Sequence, residues 1–176
     1  PGTDPGYYTE ATYASLAQAI ENTNGLTAES GDAALEQAKT TISNALNALE
    51  TAEPVEGNYY IIKSAYTNWS TGDKAMYSNG TNTMWKDADY TDKSFFWLLE
   101  DIVDGKYIFK NANDSKYMNG QSMSETAPTT GATLTWLNVA GQYNIISNGV
   151  TMHTNGHNSG AGENGNIVSW NGGANG

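Results

Sequence analysis

The phrase Gly57-Asn58-Tyr59-Tyr60-Ile61-Ile62 sets the pattern of this chain, because it returns twice in related form. The later copies are Gly105-Lys106-Tyr107-Ile108-Phe109 and Gly141-Gln142-Tyr143-Asn144-Ile145-Ile146. Each copy has a glycine, a variable residue, a tyrosine and then a short apolar, β-prone run, which predicts a strand. A phrase that recurs along a chain indicates repeated structural units.

A second strand-like run follows each opening phrase and ends at an Asn-Gly pair. These pairs are Asn79-Gly80, Asn119-Gly120 and Asn155-Gly156. In the second and third units the asparagine stands 14 residues after the opening glycine, and the first unit carries an insertion around residues 66–70. Since Asn-Gly favours the positive φ of a tight turn, each unit is predicted to contain a hairpin.

The first two units end in an apolar run that carries a tryptophan, Trp97 in one and Trp136 in the other. Between turn and tryptophan there is room for one more strand, at residues 83–86 and 122–125, which gives four strands per unit. In the third unit we align Trp170 with Trp85, because polar residues follow both. This alignment places the twelfth strand beyond residue 176.

The sequence therefore predicts a mainly β domain at 57–176, preceded by a two-helix hairpin at 9–53 and a linker at 1–8. The β domain divides into units at 57–104, 105–140 and 141–176. Apolar spacing predicts one helix from Thr9 and a second helix with Asp32 as its N-cap, stopped by Pro54. Helices with alanine-rich faces bury little surface, so we expect the hairpin to pack on the β domain or on a neighbour.

The composition narrows the possible partners. The chain has 8 basic and 19 acidic residues among 176, a net charge of −11, which disfavours nucleic acid and anionic lipid. It has no cysteine, so disulfides and thiolate chemistry are excluded. No apolar run approaches the length of a membrane span, and we predict no membrane insertion. We expect a piece of a longer protein whose targeting signal lies elsewhere.

Three motifs resemble nucleotide-binding or metal-binding patterns, but each is better explained as part of a strand or a loop. Residues 160–165 match the G-x-G-x-x-G pattern, but no strand-helix context surrounds them. His153 and His157 have the spacing of ligands on a helix, although their context is β-like. Asp87, Asp89 and Asp92 depart from a calcium-binding loop. We find no catalytic signature, and we predict no enzyme activity, no metal and no cofactor in this chain.

A stronger signal comes from tryptophans that lie beside polar residues. Sugars present apolar C–H faces and dense hydroxyls, so they are bound by a flat ring with amides or carboxylates next to it. Trp85 and Trp170 have polar neighbours and are predicted to be exposed, whereas Trp97 and Trp136 are predicted to be in the core. In unit three the predicted ligand-binding residues are Trp170, Asn171, His157 and Asn155. In unit one they are Trp85, Asp87, Tyr77 and Trp69.

Three four-strand units with Gly-x-Tyr openings and closing tryptophans resemble the ricin-type β-trefoil lectins over residues 57–176. The family's closing Gln-x-Trp is replaced here by Phe95-Phe96-Trp97 and Leu134-Thr135-Trp136. The resemblance implies a short barrel in which each unit can hold a shallow sugar site, and Trp85 and Trp170 take the stacking positions. Unit two has Glu125 at the matching place and no ring, so we expect no sugar site there. The helical hairpin is similar to spacers in large secreted surface proteins of gut-type bacteria.

These observations predict a non-catalytic carbohydrate-binding module of a larger secreted or surface bacterial protein. Its partners would be a glycan or polysaccharide and further domains of the same polypeptide, among them a glycan-active enzyme such as a glycoside hydrolase. The alternative is a structural spacer or protein-interaction module without a sugar site. Exposed tryptophans favour the first interpretation, and buried ones favour the second.

Overall fold

The computed structural model describes residues 1–65, 73–154 and 165–169. It is mainly β with two α-helices near the N-terminus, as the sequence predicts. Two compact units are present. The first comprises Pro1–Pro54 together with Val139–Gly141, and the second comprises the rest of the chain from Val55.

The helical unit contains α1 (Glu10–Glu21) and α2 (Asp32–Asn47). Thr9 caps α1, because its side chain accepts a hydrogen bond from the backbone N–H of Thr12. The N-cap of α2 is Gly31 rather than Asp32, so that prediction is wrong by one residue. Gly31 has φ +85°, a conformation that side chains rarely adopt, and Asp32 instead begins the helix, where its negative charge suits the helix dipole.

The first eight residues were expected to be a linker, but several of them pair with the chain that follows α2. Tyr8 and Thr51 form an antiparallel bridge. The backbone of Gly6 donates to Ala52 O at 2.8 Å, and Ala52 donates to Tyr7 O at 2.8 Å. These bonds hold the N-terminal segment beside residues 50–52.

Eleven strands are found in the described residues. In chain order they are β1 (Tyr59–Tyr60), β2 (Lys74–Ser78), β3 (Thr83–Asp87), β4 (Trp97–Val103), β5 (Lys106–Asn111), β6 (Tyr117–Asn119), β7 (Ser122–Ser124), β8 (Thr133–Trp136), β9 (Tyr143–Ser147), β10 (Val150–Thr154) and β11 (Gly165–Ser169). They form a five-stranded sheet in the order β1-β4-β5-β6-β7 and a six-stranded sheet in the order β2-β3-β11-β10-β9-β8.

The strands follow the repeated phrases. The three Gly-x-Tyr openings become β1, β5 and β9, and each unit then contains an antiparallel hairpin: β2–β3, β6–β7 or β10–β11. Strand β4 begins at Trp97, two residues later than the predicted apolar run, because Lys93–Phe95 forms a 3₁₀ turn. The Asp92 carboxylate starts that turn by accepting a hydrogen bond from the backbone of Ser94.

The core of the β unit is built from large apolar side chains on the inner face of both sheets. Trp97 is fully buried in it, which confirms the predicted core position, whereas Trp136 is only partly buried. The buried members of this core are Met76, Trp85, Trp97, Leu99, Phe109, Met118, Ala132 and Ile167.

Trp85 was predicted to be an exposed stacking residue, and this prediction is wrong, because its exposed fraction is 0%. Side chains alternate between the two faces of a strand, so polar neighbours such as Lys86 lie on the opposite face. The indole Nε1 donates to Asn166 O on the adjacent strand β11 at 3.2 Å. Trp85 therefore has no ring face open to a ligand.

Candidate ligand-binding surface

The β2–β3 hairpin brings three chain segments together at its open end. Lys74 lies opposite Asp87 at the last pair of the ladder, and the backbone of Ala88 donates to Asp73 O at 2.9 Å. A bridge between Lys63 and Ala75 adds the chain that precedes β2. The hairpin thus places residue 63, residue 73 and the chain just after β3 side by side.

The side chains that meet there are Lys63, Asp73 and Tyr90, which we call the Tyr90 cluster. Lys63 Nζ lies 2.5 Å from Asp73 Oδ2, and the Tyr90 hydroxyl lies 3.4 Å from the same oxygen. The ammonium is 5.8 Å from the centroid of the Tyr90 ring. The tyrosine is 54% exposed, and the lysine and aspartate side chains are 46% and 64% exposed, so the cluster is open to solvent.

The two charged groups stabilise each other's ionised forms. The hydrogen bond from Lys63, followed by the charge of Lys63, lowers the pKa of Asp73. Hydrogen bonding to Asp73, then to Tyr90, raises the pKa of Lys63. At neutral pH the cluster therefore presents a carboxylate that accepts hydrogen bonds and an ammonium that donates them.

This arrangement suits a polyhydroxylated ligand. The Tyr90 ring offers an apolar face with a polar edge. The adjacent carboxylate and ammonium form an acceptor and a donor side by side, which matches two neighbouring hydroxyls of a sugar.

The predicted residues Tyr77 and Asp87 lie on the same hairpin but are already engaged. The Tyr77 ring packs 5.4 Å from that of Phe95, with Lys86 Nζ 4.3 Å from the Tyr77 centroid. Burial, and then the charge of Asp92, raises the pKa of Tyr77. The Asp87 carboxylate is paired with the buried ammonium of Lys74.

The other predicted site residues are Trp69, Asn155, His157, Trp170 and Asn171, and all five lie outside the described residues. The site predicted in unit three therefore stays a prediction.

Sequence reasoning missed all three members of the Tyr90 cluster. Tyr90 stands in the Asp-rich stretch that suggested a calcium-binding loop. The Asp89 carboxylate accepts hydrogen bonds from the backbone and hydroxyl of Thr91, at 2.9 and 2.7 Å, and these hydrogen bonds lower its pKa. Asp89 thus shapes the turn beside Tyr90, and an exposed aromatic between two turn-forming acids was the available signal.

Within residues 1–65, 73–154 and 165–169, no group of three or more His, Asp or Glu side chains is placed to hold a metal ion. None of the helices described is long and apolar enough to cross a membrane.

Comparisons with protein-family models, with curated proteins and with solved structures found no match for this chain.

Proposed function

We propose that the β unit is a β-trefoil that serves as a non-catalytic carbohydrate-binding module, related to the ricin-type lectins. Three hairpins separated by ladder-forming strands support the trefoil. The ladders β1–β4, β4–β5 and β8–β9, with a bridge from Tyr107 to Ala132 between β5 and β8, follow the order expected for its barrel strands.

The observation that carries the proposed function is the Tyr90 cluster. It combines an exposed tyrosine ring with an adjacent carboxylate and ammonium, at the open end of the hairpin that also holds Trp85 in the core. Since Trp85 is buried, Tyr90 takes over the role of the stacking ring in unit one. The site is shallow and solvent-exposed, so each binding event is weak and several sites act together.

In this proposal the module belongs to a secreted or surface bacterial protein and holds a glycan near an attached enzyme. Its contribution to that enzyme is an increased effective concentration of substrate. The module itself has no catalytic role.

A second candidate function, a structural spacer or protein-interaction module, is favoured by a separate observation on the helical unit. Tyr13, Ile20 and Leu46 are 45%, 49% and 54% exposed on α1 and α2. These exposed apolar side chains on both helices are available for contact with another protein segment.

A glycan-array screen of the full chain distinguishes the two functions. The set contains wild type, Tyr90→Ala, Tyr90→Phe and the matched control Tyr13→Ala, which removes a similarly exposed tyrosine from the helical unit. We expect wild type to bind a class of glycans and Tyr90→Ala to lose about tenfold in affinity, roughly 1.4 kcal/mol. Tyr90→Phe retains the ring and should keep most of the binding, and Tyr13→Ala should bind as wild type does.

Absence of binding to any glycan by correctly folded wild type would reject the lectin function in favour of the spacer. Adding Trp170→Ala to the set tests the location of the site. If Trp170→Ala abolished binding while Tyr90→Ala did not, the assignment to the Tyr90 cluster would be wrong.

A further inference from the structure

A continuous row of side chains crosses the outer face of the five-stranded sheet. Directly opposed residues of neighbouring strands share one face. The row follows the ladder from β1 to β7 through Tyr59, Leu98, Lys110, Tyr117 and Ser124.

This row faces away from the core. The residues next to its members along the strands include Trp97, Phe109 and Met118, which belong to the core, so the alternate residues lie on the opposite face. Burial agrees with this assignment, because Tyr59 is 58% exposed and the other four members keep partial exposure.

Lys110 and Tyr117 of this row form, together with Glu100, a second cluster with the same kinds of side chain as the Tyr90 cluster. Lys110 Nζ lies 2.7 Å from Glu100 Oε1 and 5.1 Å from the centroid of the Tyr117 ring. Hydrogen bonding from Lys110, and then from Tyr117, lowers the pKa of Glu100. Here too a tyrosine ring lies beside an ionised carboxylate and an ammonium.

The two tyrosines of the row are spaced for a long ligand. Tyr59 is on β1 and Tyr117 is on β6, three strand positions apart, which corresponds to about 14 Å across the sheet. This separation exceeds the size of one sugar ring, and an extended oligosaccharide can bridge it.

We propose that this face is a second glycan-binding surface, which takes an extended, uncharged polysaccharide chain laid across the strands. Tyr59 and Tyr117 provide the two stacking rings, and Glu100 and Lys110 bind the hydroxyls between them. The ligand is uncharged because Glu100 already neutralises Lys110 and the whole chain carries −11, which repels acidic glycans. The inference takes its ligand class from the proposed function but does not depend on the Tyr90 cluster.

The test uses the full chain and the glycans that bind in the array screen, titrated as a series from disaccharide to hexasaccharide. The Tyr90→Ala variant serves as background, so that binding at the Tyr90 cluster is removed. We expect residual binding that strengthens about tenfold from the shortest to the longest chain. Adding Tyr59→Ala or Tyr117→Ala should then weaken hexasaccharide binding about tenfold, whereas adding Tyr13→Ala should leave it unchanged.

Tyr117→Phe, which keeps the ring in place, guards against loss of folding and should bind almost as the background does. If Tyr90→Ala alone abolished all binding, or if Tyr59→Ala and Tyr117→Ala had no effect, the second surface would be rejected and the lectin function would stand. Equal or tighter binding of an oligogalacturonate would reject the uncharged ligand class. If no glycan bound wild type, the proposed function and this inference would both be rejected.

Discussion

Lys74 is the most deeply buried charged residue described in this protein. Its side chain is 0% exposed and its partner is the Asp87 carboxylate, which is 56% exposed. Burying an ammonium is costly unless it is paired, so the fold depends on this aspartate more than on an ordinary surface acid. Asp87, predicted to be a ligand-binding residue, is better explained as the partner of Lys74.

We predict that Asp87→Ala lowers the free energy of unfolding by about 2 kcal/mol, below the usual loss for a broken buried pair because Asp87 is partly solvated. Urea denaturation measures this loss in the free energy of unfolding. The control is Glu36→Gln, which breaks the exposed pair of Glu36 and Lys39 and should cost less than about 0.5 kcal/mol. Equal effects of the two changes would contradict the role of Asp87.

Trp85 is a large, fully buried side chain of the β unit's core. We expect Trp85→Ala to reduce the free energy of unfolding by about 3–5 kcal/mol, because it leaves a cavity in the core. Trp85→Phe keeps most of the volume and loses the hydrogen bond to Asn166, so its loss should be clearly smaller. Thermal unfolding followed by tryptophan fluorescence compares them. If Trp85→Ala were as stable as wild type but had lost glycan binding, Trp85 would be a stacking residue and its assignment to the core would be wrong.

The charged pair of the Tyr90 cluster leads to a prediction on pH. The pKa of Asp73 is lower in the folded protein than in the unfolded chain, so the stabilisation from its ion pair is fully present above the unfolded-state pKa. That stabilisation is lost as the pH falls through the folded-state pKa. The pKa of Lys63 is higher in the folded protein than in the unfolded chain, so the stabilisation from the same pair is fully present below the unfolded-state pKa. That stabilisation is lost as the pH rises through the folded-state pKa. Glycan binding should therefore be constant between the ordinary pKa values of aspartate and lysine, about 3.9 and 10.4, and fall only beyond them. A midpoint near pH 6–7 in calorimetric titrations would show that another group controls binding.

At the scale of elements, the contact between β5 and β8 depends on a glycine. A Cβ added at Gly131 would lie 2.8 Å from the carbonyl oxygen of Tyr107, which pairs with Ala132. We predict that Gly131→Ala destabilises the protein by about 1–3 kcal/mol, because a backbone clash forces the two strands apart. Gly2→Ala, whose Cβ would have its nearest neighbour at 3.7 Å, should be close to neutral in the same denaturation experiment.

Repetition made most of the strands predictable. The Gly-x-Tyr phrases and Asn-Gly pairs locate β1, β5 and β9 and two of the hairpin turns, because local turn chemistry and apolar runs act within a few residues. The face on which a side chain lies is set by register and pairing, which is why the polar neighbours of Trp85 misled the prediction. Tyr90 had a local signal in the sequence, but its grouping with Lys63 and Asp73 did not, since the β2–β3 ladder and the bridge from Lys63 to Ala75 bring the three segments together.

For the protein as a whole, we propose that the β unit binds glycans through the Tyr90 cluster. The helical unit has its own compact contacts and its own exposed apolar residues. A binding experiment on the full chain therefore has to report where the ligand contacts the protein as well as whether it binds.

The most direct measurement is an NMR titration of the ¹⁵N-labelled full chain with the tightest-binding neutral glycan from the array. The proposed function predicts shift changes centred on the amides of Lys63, Asp73 and Tyr90, and their loss in Tyr90→Ala. The indole signal of buried Trp85 should move little. Shift changes confined to α1 and α2, or changes at the amides of Lys63 and Asp73 that persist unaltered in Tyr90→Ala, would contradict the claim.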